Sequence, residues 1–298
     1  MHRGVFELTK NIMCDKMLKM IGGIYMFEPA LSSCAKELNE VMFKSFKKAG
    51  IYTMEVSLSS VSEQSKVNLK DVKRLADKYE IKLWTGHLPF NPFSQIDISN
   101  PEISEYAVSY FSDIIKLYAD IGVNKVVIHP SGEPIDEKDR GIRMECAKKS
   151  LKKLADFAGD LGSVIAVENL PRTCLGRDSK EITELISADE RLKVCFDTNH
   201  LLKENLLDFI NAVGDKIITL HVSDYDFIDE KHWLPGEGKI NWQELVFALK
   251  EVNYSGPWLY EVAFETPRTI ERTRNLNCED VVNNANAVLS NREIPKII

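Results

Sequence analysis

The sequence of 298 residues has no long apolar run, no basic tract and no paired cysteine motif, and each absence removes a class of function. No stretch approaches the roughly 20 consecutive apolar residues that a membrane-spanning helix needs, so no membrane partner is expected. The opening segment MHRGVFELTKNIMCDKMLKMIGG carries charges throughout and lacks the apolar centre and small-residue cleavage site of a secretory signal. Lys and Arg cluster no further than adjacent pairs, and the formal net charge is −7. That is poor material for a protein that gains affinity by neutralising phosphates, and no nucleic-acid partner is expected. The cysteines (Cys14, Cys34, Cys146, Cys174, Cys195, Cys278) are scattered without Cys-x-x-Cys spacing. Reduced thiols in a cytoplasmic, soluble protein are the expectation. No low-complexity or Pro/Gly/Ser-rich linker divides the chain.

What remains is an ordinary globular composition, 44% apolar and 28% charged, arranged as an alternation. Short apolar, β-branched runs occur at 20–27, 51–58, 81–88, 123–130, 163–170, 192–198, 215–222 and 256–263. Between them lie amphipathic stretches such as CAKELNEVMFKSFKKAG, NLKDVKRLADKYE and RMECAKKSLKKLADFAGDLG, apolar at spacings of three and four. Gly50, Gly122 and Gly162 fall where such helices should end. Eight strand–helix units predict a parallel sheet closed into an α/β (β/α)₈ TIM barrel, a single domain over 20–298. Residues 1–19 are expected to be an N-terminal extension packed on it. An open doubly wound sheet would want a Gly-rich phosphate turn after the first strand, and GGIYMFEPA is not Gly-x-Gly-x-x-Gly.

The strands end in polar residues: Glu55, His87, His129, Glu168 with Asn169, Asp197, His221 and Glu261. In a barrel the active site is built at these C-terminal ends. Several carboxylates converging on one mouth repel one another unless a cation neutralises them, and imidazole mixed with carboxylate suits Mn²⁺, Co²⁺, Mg²⁺ or Zn²⁺. One divalent metal held by Glu168, Asp197, His221 and Glu261 is the expected cofactor. Trp84, Phe90, Phe93 and Trp233 are expected to wall the mouth, with Arg172 and Arg177 placed to bind an anionic group on a substrate. Asn169 is expected to support a ligand and Glu55 to bond a neighbouring strand end.

The segments VVIHP, AVENLPR, FDTNH, LHVSD, HWLPGEGKINW and YEV, taken in order from about residue 20 to residue 265, resemble the xylose isomerase-like TIM barrels, the sugar phosphate isomerase/epimerase family. The resemblance implies the same metal ligands. It also implies a catalytic pair, Glu168 and Glu261, on either side of a small carbohydrate, with His87, His129, His200 and His232 lining the sugar pocket. It implies proton transfer through a metal-stabilised enediolate, and barrels of this kind form homo-oligomers. Asp224 stands where related epimerases carry a Glu after the metal histidine.

The same superfamily includes endonuclease IV-like apurinic/apyrimidinic endonucleases with three zinc ions. Their ligand pattern meets His87, His129, Glu168, Asp197, His200, His221, His232 and Glu261, with Glu230 where the pattern has Asp. Against that reading, the segment VSDYDFIDEK between His221 and His232 is acidic where a DNA-facing loop should be basic. A barrel that binds sugar without catalysis is the third alternative.

Overall fold

The computed structural model describes residues 27–58, 67–90 and 95–297. Eight strands run in chain order: β1 Pro29–Ser32, β2 Thr53–Ser57, β3 Lys82–His87, β4 Lys125–Ile128, β5 Val164–Glu168, β6 Lys193–Asp197, β7 Ile217–His221 and β8 Trp258–Tyr260. Every ladder is parallel, in the order β7-β6-β5-β4-β3-β2-β1-β8. The last gap is closed by a parallel bridge, Val222 to Tyr260, with Val222 N–H donating to Leu259 O (2.8 Å) and Glu261 N–H to Val222 O (3.1 Å). The chain is a (β/α)₈ barrel. Among the described residues no helix is long and apolar enough to cross a membrane.

One strand differs from expectation. The apolar run at 20–27 lies outside the described residues except for Phe27, and the strand in that place is β1, aligned with both neighbours by Pro29 against Trp258 and Leu31 against Met54. Pro is tolerated at the first residue of a strand, and the small residues of PALS give little β-branched signal. The expected extension over 1–19 also lies outside the described residues.

Among the described residues eight α-helices cover the barrel: α1 Glu40–Ala49, α2 Leu69–Tyr79, α3 Ser104–Asp120, α4 Arg140–Asp160, α5 Ser179–Ile186, α6 Leu206–Val213, α7 Trp242–Glu251 and α8 Cys278–Leu289. Polar residues start most of them. The side chains of Asn39, Asn68, Asp178, Asn205, Asn241 and Asn277 each accept a first-turn backbone N–H, satisfying donors the helix itself leaves free. The helices bury Phe43, Phe46, Phe111, Leu151, Phe209 and their like against the strands in one continuous core. Inside the barrel the period of two matters more. His129, Glu168 and Asp197 close their strands, and the residues two positions earlier (Val127, Ala166, Cys195) form a small apolar layer beneath them.

The loops that shape the mouth are fixed by buried ionic groups. Arg140 donates to both oxygens of Glu181 (2.7 and 2.6 Å) and to the carbonyls of Thr173 and Cys174, holding the turn after β5. Asp224, just beyond β7, accepts from Tyr225 N, Gly236 N, Ile240 N and Trp242 Nε1 at 2.8–3.2 Å. One carboxylate thus folds the whole loop that returns from β7 to α7. Asp224→Ala leaves those donors in a largely dry pocket, where an unmatched donor costs about 1–3 kcal/mol. The variant is expected to lose about 2–4 kcal/mol of stability, read as a lower Tm, with faster amide exchange confined first to residues 225–240.

Candidate metal centre at the barrel mouth

The closing residues of β3, β5, β6 and β7, together with the residues one past β4 and β8, point into a common space. Glu168 is its centre. Its Oε2 meets His87 Nε2 at 3.0 Å and His129 Nε2 at 3.3 Å, and its Oε1 meets His221 Nδ1 at 3.1 Å. His221 Nδ1 also faces Glu261 Oε2 at 3.2 Å and Asp197 Oδ2 at 3.8 Å. Further out, His232 Nε2 donates to Glu230 Oε1 at 2.8 Å, and His200 Nε2 lies 3.7 Å from that same oxygen.

Among the described residues four ligand-grade clusters result, each with its donor atoms within 4.8 Å of one another: His87–His129–Glu168, Glu168–Asp197–His221–Glu261, His200–Glu230–His232 and Glu168–Cys195–His221. Every residue expected to bind metal is in the second cluster. Two observations show that these residues fit a cation. The buried Asp197 Oδ2 has no hydrogen-bond donor, while its other oxygen accepts from Asn199 N at 2.7 Å. The histidines are also pre-aimed. His87 donates from Nδ1 to Leu88 O, His200 to Asn169 O and His232 to Glu261 O, at 2.7, 2.9 and 3.2 Å, which turns each Nε2 toward a carboxylate. A second nitrogen anchored on a carbonyl is how proteins orient imidazole ligands. Asn169 clamps the backbone of Asp197, accepting from its N–H at 2.8 Å and donating to its carbonyl at 2.9 Å.

The electrostatics follow from packing opposite charges in a dry space. Burial alone would raise the Glu168 carboxyl, but His221 and His129 hold it well below the usual carboxylate range. Burial pushes Asp197 up to about 6, helped by the charge on Glu168. Burial would lower both His200 and His232. Asp197 and Glu230 outweigh it at His200, raised to about 10, and Glu230 does so at His232, raised to about 9.

The mouth opens into a cavity with about 610 Å³ of space continuous with solvent, walled by Cys34, Phe90, Val262 and Ala263 beside the ligand clusters. Phe90 stacks on His129, ring centres 4.7 Å apart. Three expectations are corrected here. Trp84 lies three residues before His87, at the opposite end of β3, with Lys125 Nζ 4.0 Å over its ring and Pro257 and Glu28 nearby, so it walls no sugar pocket. Arg177 spends its guanidinium on Glu137 (2.6 Å) and Glu181 (3.3 Å), and Arg172 is bound to Glu133, Asp229 and Glu230. Neither arginine is free for a substrate anion. Trp233 is buried and pairs with Asp224 across a backbone bridge, away from the cavity lining. Phe93 lies outside the described residues.

Sequence reasoning placed no wall in the loop after β1, because Cys34 and Ala35 sit in what reads as a helix start; that helix begins only at Glu40. Asp224, which stands where related epimerases carry a Glu, is made a brace for the loop by its four donors.

Residues 43–278 match the model of the xylose isomerase-like TIM barrel family. The chain belongs to that family. Its curated relatives divide by name. An uncharacterized protein of Methanocaldococcus jannaschii is 27% identical over 63% of this chain and 67% of its own length. A D-psicose 3-epimerase of Enterocloster bolteae is 25% identical over 71% of this chain and 72% of its own length. A "Probable endonuclease 4" of Staphylococcus carnosus is 26% identical over 65% and 68%. Among solved structures, a D-tagatose 3-epimerase-like protein superposes with a TM-score of 0.73 at 22% identity, covering 88% of this chain and 95% of the other.

The raised histidines set a pH dependence. A group whose pKa rises on folding stabilises the fold below its unfolded value, near 6.5 for imidazole, and that stability is lost as pH rises through the folded value. Metal-free protein should therefore lose Tm as pH climbs from about 6.5 through the 9 and 10 of His232 and His200. Saturating divalent metal should flatten the slope, because the cation replaces the protons. A metal-free Tm that rises over that interval contradicts the assignment.

Proposed function

We propose that this chain is a divalent-metal-dependent sugar isomerase or epimerase that moves a proton on and off the carbon beside a carbonyl. The observation that carries the proposal is the pair Glu168 and Glu261. They come from β5 and from just past β8, both reach the Nδ1 of His221, and both face the cavity. A flat enediolate lying between them presents one face to each carboxylate. The relatives named as 3-epimerases support the substrate class.

Glu168, Asp197, His221 and Glu261 would hold the ion. Bound there, a divalent cation supplies Lewis-acid stabilisation of the negative charge that develops on the carbonyl oxygen as the C–H bond breaks. The residues of the chain do the rest. One carboxylate accepts the proton and the acid on the other face returns one. Return to the opposite face of the same carbon gives an epimer, and return to the neighbouring carbon gives aldose–ketose exchange. Phe90 and Val262 exclude water from the reacting carbon, while His200 and His232 are placed to hold substrate hydroxyls.

A second reading is favoured by a specific observation: two clusters share Glu168 and a third, His200–Glu230–His232, lies beside them, which offers room for three ions, as an endonuclease IV-like trinuclear zinc nuclease would require. The rim opposes it. Glu133, Asp229 and Glu230 surround Arg172, leaving no free arginine there to grip a phosphodiester backbone.

Elemental analysis of protein purified without added metal separates the two. About one Mn, Co, Mg or Zn per chain, with solvent deuterium entering a ketohexose at the carbon beside the carbonyl, is the expected result. Three zinc ions per chain with cleavage of abasic DNA reverses the assignment. Sugar binding without exchange identifies a non-catalytic barrel. Glu168→Gln and Glu261→Gln should each slow deuterium entry by about 10²-fold or more, and a chelator should abolish it. Undiminished exchange in both variants refutes the two-carboxylate mechanism.

A further inference from the structure

Beneath the mouth lies a carboxylate that the mechanism does not use. Glu55 is in the middle of β2, two residues before its end, and is fully buried. Its Oε1 accepts from Ser32 Oγ at 2.9 Å, and its Oε2 accepts from Thr85 Oγ1 at 2.9 Å and from His221 Nε2 at 3.2 Å. The hydroxyls belong to the strands on either side, β1 and β3, and the β1–β2 register sets Ser32 directly against Glu55. A carboxylate carries about four acceptor sites, and here they are committed to donors from three strands.

This arrangement treats His221 differently from the other mouth histidines. His87, His200 and His232 donate from Nδ1 to backbone carbonyls and present Nε2 to the ligand space. His221 is turned the other way, with Nδ1 toward Glu168, Glu261 and Asp197 and Nε2 pointing down to Glu55. No carbonyl anchors it; a charged carboxylate does. A buried carboxylate costs several kcal/mol to desolvate unless its donors match it, so a chain with no use for Glu55 would gain by an apolar residue there.

We propose that Glu55 is a positioning residue for the metal ligand His221. By accepting the Nε2 proton from below, it turns the ring so that Nδ1 is the ligating atom, and it raises the basicity of that atom as a carboxylate partner does behind an imidazole ligand. Ser32 and Thr85 in turn fix the rotamer of Glu55. The inference rests on the metal-binding half of the proposal above and holds for either reaction.

The test uses the whole chain with ¹⁵N-labelled histidine, metal-free and then titrated with Zn²⁺. The Nε2–H resonance of His221 should be present in both states, and the Nδ1 resonance should move when zinc binds. Glu55→Gln should weaken zinc binding, measured by calorimetry, by about 10–100-fold. Glu55→Asp keeps the charge but shortens the reach, and it should also bind weakly. Thr85→Val, which disturbs only the support of Glu55, should give a smaller loss in the same direction. Loss of the Nε2–H signal on zinc binding, or wild-type zinc affinity in Glu55→Asp, overturns the inference. If the wild-type chain binds no zinc or other divalent ion, the metal-centre reading fails first, and with it the role given to Glu55.

Discussion

One carboxylate, Glu168, joins the two inner groups of side chains at the mouth. Its two oxygens divide the space between the His87–His129 side and the His221–Asp197–Glu261 side. Ligand atoms within 4.8 Å of each other include those of three buried or nearly buried carboxylates. At an effective dielectric of about 20, two unit negative charges at that separation repel by about 3–4 kcal/mol. A fold that places Glu168, Asp197 and Glu261 there must supply positive charge, and in the metal-free chain imidazolium does so. The strand ends, the anchored histidine rings and the unmatched oxygen of Asp197 all make sense as consequences of that requirement.

The barrel meets it by dividing labour along each strand. On β4, β5 and β6 the inward positions below the mouth are small and apolar, Val127, Ala166 and Cys195, while on β3 and β7 they are the buried threonines Thr85 and Thr219. The inward positions above are ligands. Between the two, on the β2 side, Glu55 belongs to neither group: a buried charge beneath the ligands whose donors come from β1, β3 and β7. The loops are held by ionic groups of their own, Arg140 with Glu181 after β5 and Asp224 after β7, none of which lines the cavity.

Much of this could be read from the residues. Seven strands fall within the runs expected for them, because a strand covered on both faces must be apolar nearly throughout and the pattern survives in one sequence. His87, Glu168, Asp197 and His221 at strand ends were legible for the same reason: a polar residue closing an apolar run stands out. What escaped is what no local pattern encodes. The first strand, PALS, has too little β-branched character to compete with the apolar run before it. Trp84 sits within a strand, and its end of the barrel depends on where β3 starts, a difference of a few residues. Arg172 reads as a free cation because the carboxylates that claim it lie 39 to 58 positions away in the chain, and Arg177 pairs both with Glu181 four residues on and with Glu137, 40 positions back. Ion pairs that distant in sequence have no signature in spacing.

The brace at Asp224 has a consequence for how such a barrel can change. Four candidate ligands, Glu168, Asp197, His221 and Glu261, stand on or beside strands whose geometry is set by closing the sheet. Glu230 and His232 stand instead on the loop after β7, which is held by Asp224, by Asn199 Oδ1 accepting from Lys231 N and His232 N, by the Asp224–Trp233 backbone bridge and by the arginine of the neighbouring loop. The group at the strand ends thus belongs to the sheet, while the outer His200–Glu230–His232 group depends in part on the loop after β7. A dozen or so residues there could be rewritten with the eight-stranded frame and the side chains standing on it left in place.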